Sequence, residues 1–376
     1  MKKMTGFTAA LLLFGNLTAV AGSPASFHML TDTLPDTVSA KKMVVITGVG
    51  DIMLGTSYPS ERYLPPNDNP LQFIETLIDT LSVSDITFGN LEGAFSDTAE
   101  AAKKCRDTTI CYLFRMPEKY VAVLDTAGFD FLSLANNHFG DFGLPARKRT
   151  MQLLDSSGIS YGGLTEHPWS IIRKDTILYG FCAFAPNAGT VSINDTIRAG
   201  EIVKYLSDTC NIVIVSFHGG AEGADFQHVP KTDEIFHGEN RGNVYRFAHY
   251  MIDCGADVVF GHGPHVTRAV EVYNNRFISY SLGNFCTYGR FNLAGPNGIA
   301  PVIRVRMDIS GRFLSGSIIP VYQRWEGGTS IDPERRVIIK IRDLMTTDFP
   351  DTSITISDNG DINYKQITYA VQGKND

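Results

Sequence analysis

The sequence predicts an α/β protein in which helices cover a sheet, on two observations. From Lys41 onward, apolar runs of strand length alternate with longer amphipathic stretches. Five of the strand-like runs also end in polar, ionisable residues. Strands are expected at Met43–Val49, Ile86–Phe88, Phe131–Leu134, Ile177–Phe184, Ile212–Phe217 and Val258–Phe260. Helices are expected at Pro70–Leu81, Pro117–Thr126, Leu144–Ser156, Ile197–Leu206 and Asn243–Cys254. The last two helices run into the polar turns Asp208-Thr209 and Gly255-Ala256-Asp257, each followed by a strand. From about Ala269 the texture shifts to hairpins: Val270–Tyr273 and Phe277–Tyr280 around Asn274-Asn275, then Val302–Met307 and Phe313–Val321 around Asp308–Gly311. These strands belong to the same core. The tail from Ile331 holds one helix, Pro333–Leu344, followed by polar, alternating segments, and there is no internal repeat.

A length of 376 residues with 43% hydrophobic and 19% charged residues is ordinary globular composition. The formal charge of −7 excludes a general phosphate-backbone binder, which needs clustered Lys and Arg, so nucleic acid is not an expected partner. The short runs Arg147-Lys148-Arg149 and Arg335-Arg336 read as solvated faces. At the N-terminus, Lys2 and Lys3 precede an apolar stretch from Phe7 to Val20, and Ala19-Val20-Ala21 places small residues at a cleavage site. Residues 1–21 are therefore expected to be a signal peptide, with an uncleaved tether as the alternative, and the mature chain to be periplasmic or extracellular. Residues 22–40 read as a flexible linker, 41–330 as the main domain and 331–376 as a C-terminal extension. Export permits disulfides, and Cys105 and Cys111, which bracket a short polar loop, are the expected pair. Cys182, Cys210, Cys254 and Cys286 sit in or beside apolar segments and read as small hydrophobes.

The strand ends carry the chemistry. The first is followed by Gly50-Asp51, the second by Gly89-Asn90-Leu91-Glu92-Gly93, and the third by Ala135-Asn136-Asn137-His138, with Asp141 close behind. The fifth ends in His218-Gly219-Gly220-Ala221-Glu222, the sixth in Gly261-His262-Gly263-Pro264-His265. In α/β sheets the carboxyl edge gathers loops from distant parts of the chain. Each motif has a bland reading taken singly: Gly-Asp and Asn-Asn are ordinary turns, and a lone His is usually a satisfied core residue. The pair His262 and His265 is sharper, because two imidazoles on one strand exit match metal-ligand spacing. Imidazoles, carboxylates and an amide oxygen form a mixed set suited to Mn, Zn or Fe, at one or two ions per chain. Of the other histidines, His228 lies closest to the site in sequence, on the loop after Glu222.

Gly50–Gly55, Gly89–Gly93, Ala135–His138, His218–Glu222, Gly261–His265 and Tyr280–Phe285 resemble, in order, the motif set of the bacterial CapA-like capsule and poly-gamma-glutamate synthesis proteins. The resemblance spans roughly Val44 to Val321. It implies a metallophosphatase-like four-layer sandwich of two β-sheets flanked by helices. It further implies that Asp51, Asn137, His218, His262 and His265 are metal ligands and that His138 protonates or stabilises a leaving group. Glu92 is a candidate to supply a bridging charge. Asp141 is grouped with His138 as catalytic; Asn90, Asn136, Glu222 and Asn284 are assigned to substrate contact. Two departures bear on the metal count: Met53 stands where the phosphatases carry a histidine, and Asn90 where they carry a bridging aspartate.

Two functions follow from these residues. One is a metal-dependent hydrolase or transferase acting on a phosphoester or an anionic polymer, in company with a membrane-bound capsule synthesis or export complex. The other is a non-catalytic polymer-binding or export scaffold that uses the same cleft.

Overall fold

The computed structural model describes residues 43–104, 111–324 and 328–365. The expected signal peptide and linker lie outside the described residues, as does Cys105. Cys111 is disulfide-bonded, and Cys182, Cys210, Cys254 and Cys286 are free.

Two sheets are built in three passes of the chain. The first pass lays down four parallel strands side by side: β1 (Met43–Met53), β2 (Ile86–Leu91), β3 (Phe131–Ser133) and β4 (Ser160–Gly162). The second pass makes a separate six-stranded sheet from β5 (Trp169–Lys174), β6 (Ile177–Phe184), β7 (Ile212–His218), β8 (Val258–His262), β9 (Val270–Tyr273) and β10 (Arg276–Ser279). Its inner strands β6, β7, β8 and β10 are parallel, and β5 and β9 close its edges antiparallel. The chain then returns to the first sheet. There β11 (Asn284–Thr287) pairs parallel with the end of β1, while β12 (Ile299–Asp308), β13 (Phe313–Arg324) and β14 (Gly328–Ile331) continue it antiparallel. The last two strands, β15 (Ile354–Ile356) and β16 (Asp361–Tyr364), extend the edge beyond β13.

The sheets face each other across an aromatic core. Phe88 of β2 stacks on Phe260 of β8, with ring centroids 5.5 Å apart, and lies 5.4 Å from Phe181 of β6; Phe131 of β3 stacks on Phe181 at 5.2 Å. Burying each ring contributes about 1.5–3 kcal/mol. The outward face of the first sheet, with Ile52, Leu91 and Leu132, is covered by the short helices α1 (Ile78–Ser82) and α2 (Val121–Thr126) and by α3 (Gly143–Ser156). The outward face of the second is covered by α4 (Thr196–Thr209) and α5 (Val244–Asp253), capped by the Asp195 and Asn243 side chains, which accept from Arg198 N and Arg246 N. This is the helix–sheet–sheet–helix layering that the motifs implied.

Three local expectations change. Pro70–Leu81 is not one helix: it forms 3₁₀ turns at Pro70–Phe73 and Glu75–Leu77 and becomes α-helical only in α1. The break is at Ile74, at φ −131° and ψ −11°; it accompanies docking of the Phe73 backbone against Gly328, where a Cβ would meet Phe73 Cα at 2.3 Å. Strand β5 went unread because it is a half-exposed edge without apolar alternation. The segment after Ile331 is no appendage: α6 (Arg336–Asp348) packs Val337, Ile338 and Ile341 into the inter-sheet core, and β16 pairs with β13.

Replacing Phe88 with Ala removes the ring on which both sheets meet. Urea unfolding should show a loss of about 3–5 kcal/mol, and a loss under 1 kcal/mol would place the sheet contact elsewhere.

Candidate metal centre

The strands run further than their apolar stretches suggested, and so carry the polar residues inside the sheets. Asp51 lies within β1, in register with Asn90 of β2 on one side and Asn284 of β11 on the other. His218 and His262 are the last residues of β7 and β8 and are register partners in the second sheet. The close approach of β1 to the loop before β11 requires a glycine. A Cβ at Gly50 would sit 2.0 Å from Gly283 O, the carbonyl that accepts from Asp51 N at 2.9 Å.

A chain of amides fixes the carboxylates. Asn136 Oδ1 accepts from the backbone N–H of His138 (3.1 Å) and of Phe139 (2.9 Å), so its Nδ2 must face the other way, where it donates to Leu91 O (2.8 Å) and Asn90 Oδ1 (3.1 Å). That orients Asn90 in turn: its Nδ2 donates both to Asp51 Oδ1 (2.8 Å) and to Glu92 Oε2 (2.5 Å). Asn90 therefore bridges the two carboxylates through hydrogen, and its oxygen is occupied by Asn136. Both amides are buried and fully engaged with protein groups, which is at odds with the substrate contact assigned to Asn90 and Asn136.

Asp51 also accepts from His262 Nδ1 (3.2 Å, Oδ1) and His265 Nδ1 (2.8 Å, Oδ2). Burial works to raise its pKa, but these hydrogen bonds and the charge behind them hold it well below the ordinary carboxylate range. His265 answers in kind: burial works to lower it, yet the bond to Asp51 and the surrounding carboxylates push it up to about 10. Glu92 is raised well above its usual value by burial and then by the Asp51 charge, and burial drives His218 well below its own.

The donor set fits a divalent cation. Ligand atoms of Asp51, Glu92 and His218 lie within 4.8 Å of one another. Glu92 Oε1, both nitrogens of His218, His262 Nε2 and Asn137 Oδ1 are buried without a hydrogen-bond partner. Each such orphan costs about 1–3 kcal/mol, and a cation is the partner that a carboxylate, an amide oxygen and the one unprotonated nitrogen of each imidazole would take. Met53 is no part of this: it is buried in the outer core, its sulfur accepting from Gly55 N at 3.3 Å.

Beside the centre opens a pocket of about 310 Å³, lined by His138, His265, Glu222, Asn284 and aromatic rings including Phe114 and Phe291. His138 stacks near Phe114, and its Nδ1 is 2.7 Å from Asp141 Oδ2, which also accepts from Phe114 N at 3.0 Å. Fully buried Asp141 thus positions His138 and does not itself reach the pocket. Glu222 pairs with Arg241 at 2.9 Å, and His228 turns away to Asp348 at 2.8 Å. Reading the sequence missed Arg290 and Asn297 on the pocket wall, which stand outside the strand-end motifs. Also unread was the buried Arg268–Glu234 pair, a bidentate contact at 2.8 and 2.7 Å that ties down the loop after His218 through Ala221.

Fold and site together define a two-sheet α/β sandwich with a buried mixed nitrogen–oxygen donor centre at its strand ends. The chain belongs to the bacterial capsule synthesis protein family PGA_cap, which matches residues 45–288. It is similar to the capsule biosynthesis protein CapA of Bacillus anthracis, 26% identical over 261 residues, covering 64% of this chain and 59% of that protein. It is also similar to the PGA biosynthesis protein CapA of Bacillus subtilis, 28% identical over 255 residues, covering 63% and 61%. The chain thus spans about three-fifths of the length of these relatives. Among solved structures, a novel phosphatase of Mycoplasma pneumoniae aligns with 78% of this chain and 96% of its own, at a TM-score of 0.47 and 11% identity.

The amide bridge makes a direct prediction for Asn90→Asp. A third carboxylate between Asp51 and Glu92 should destabilise chelator-treated protein by about 2 kcal/mol or more and enlarge the stabilisation that added Mn²⁺ or Zn²⁺ gives in thermal unfolding. An unchanged chelated protein would mean that Asn90 does not join the carboxylates.

Proposed function

We propose that this protein is an exported, metal-dependent hydrolase or transferase that works on a phosphoester or an anionic polymer in capsule or poly-gamma-glutamate synthesis. The observation that carries the reading is the set of orphaned buried donors on Glu92, His218 and His262, gathered round Asp51 beside an open pocket, with Asn137 Oδ1 also orphaned on the loop after β3. A divalent cation bound there would supply Lewis acidity toward a substrate oxygen and a water. Asp51, Glu92 and His218 would hold it, with His262 Nε2 and Asn137 Oδ1 as further donors. The chain's own groups do the rest. Asp141 occupies Nδ1 of His138, which leaves Nε2 as the ring atom for a proton given to a leaving group. Phe114 and Phe291 wall the pocket and reduce its access to water.

Export is supported by the Lys2-Lys3 start, the apolar run from Phe7 to Val20 and the small residues at Ala19 and Ala21. A membrane-bound synthesis or export complex is the partner this location would offer. The scaffold reading keeps one specific support, the neutral amide of Asn90 between the carboxylates, which cannot bridge two cations as a carboxylate would. On the same ground the hydrolase is expected to work with one metal position.

Metal analysis by mass spectrometry on protein purified without chelator should find about one divalent metal per chain, lost in His218→Ala. His138→Ala should keep the metal and lose turnover of an aryl phosphoester or a polyglutamate chain by about 10²-fold or more. A metal-free wild-type protein would sink the hydrolase. Metal with turnover indifferent to His138 would favour the scaffold.

A further inference from the structure

One cation in the pocket has no acid partner among the described residues. Arg241 is paired with Glu222 and Arg268 with Glu234, whereas the half-buried Arg290 makes no ion pair among the described residues, and Glu222 on the same pocket is held by Arg241. Its guanidinium lies over two aromatic rings, 5.3 Å from the centroid of Tyr63 and 4.6 Å from that of Tyr112, and its hydrogen bond among the described residues is a long one, 3.5 Å, to Cys111 O. Stacking fixes the plane of the fork and leaves the N–H edge for a planar oxyanion.

The same pocket carries two acceptors without donors. Asn284 Nδ2 donates to His265 O (3.2 Å) and Asn297 O (3.1 Å), and Asn297 Nδ2 donates to His265 O (3.2 Å). These carbonyls fix both amides, since a flipped amide would set oxygen against oxygen. Both side chains line the pocket and are more than nine-tenths buried, yet neither Oδ1 has a donor. An N–H group of a ligand would satisfy them, whereas phosphate oxygens would bring only more acceptors.

We propose that Arg290, Asn284 and Asn297 form a recognition subsite beside the metal centre for a ligand segment that carries a carboxylate next to an N–H donor. This rests on the reading of the pocket as a substrate site. It divides the two substrate classes left open above, because a phosphoester would use Arg290 alone. Arg290 supplies the charge and the two asparagines supply the discrimination. The internal amide of a chain and a free amino terminus share this chemistry, and the ligand series separates them.

The test is calorimetric binding to protein purified without chelator, with metal content measured on the same sample. The probes are N-acetylglutamate (an amide N–H and no amine), free glutamate, glutarate (the same two carboxylates without nitrogen) and inorganic phosphate. Wild type should bind one of the two nitrogen-bearing probes at least about 10-fold tighter than glutarate; N-acetylglutamate as the better one assigns an amide, glutamate a free amine. Arg290→Gln should weaken the nitrogen-bearing probe and glutarate alike by about 10-fold. Asn297→Leu should abolish the advantage over glutarate while leaving glutarate binding as it was. Metal content should stay at the wild-type level in both variants. Glutarate or phosphate binding as tightly as the nitrogen-bearing probes, or no binding of any probe to wild type, overturns the subsite, as does an Arg290→Gln variant that binds like wild type. The comparison of probes needs only the wild-type protein, so a misfolded variant does not blunt it. Loss of the metal reading shows separately, in the metal content.

Discussion

Two buried carboxylates share one amide, and the centre depends on it. Asp51 and Glu92 would repel each other in a site closed to water, and Asn90 holds them together by donating one N–H to each. The amide cannot turn over, because Asn136 holds its oxygen and two backbone N–H groups hold Asn136. The orientation of the centre is therefore anchored in the backbone turn that follows β3. The electrostatics follow from this arrangement: two imidazoles hold Asp51 well below the ordinary carboxylate range, and burial together with the Asp51 charge raises Glu92 well above its own. A cation would take both carboxylates and His218 as ligands.

The sandwich makes this meeting possible. Parallel strands from both sheets end at the same edge, so β1, β2 and β3 deliver carboxylates and amides while β7 and β8 deliver imidazoles. The inter-sheet aromatic core around Phe88 sets the spacing between the two groups, and Phe88 also lies edge-on to His262, with centroids 5.6 Å apart. Core packing and site geometry thus share a residue. Glycines matter where backbones nearly touch, most clearly at Gly50 against the Gly283 carbonyl, which lets β11 join β1 and bring Asn284 beside Asp51.

The strand-end histidines and carboxylates were legible because a polar residue that closes an apolar strand is a local pattern. Arg290 and Asn297 were not legible, since both follow β11 in a stretch whose glycines and asparagines read as an ordinary loop. Asn90 was noticed as a departure from the phosphatase pattern, but its use was not, because a hydrogen-bond direction depends on neighbours 39 and 46 residues away. The strands of the tail were not read for a similar reason: β15 and β16 are short and polar, and only the pairing of β16 with β13 and of β15 with β16 shows them to be sheet.

By itself the sequence determined the alternation of strands and helices, the identity of the donors and the family motifs, because periodicity, turn chemistry and residue type are properties of a few neighbouring residues. The tertiary structure alone decided which donors converge, which amide nitrogen faces which carboxylate, which ionisable groups carry charge, and which arginine is left for a ligand. Those depend on desolvation and on contacts between segments far apart in the chain, and they take their values only once the two sheets have closed on each other.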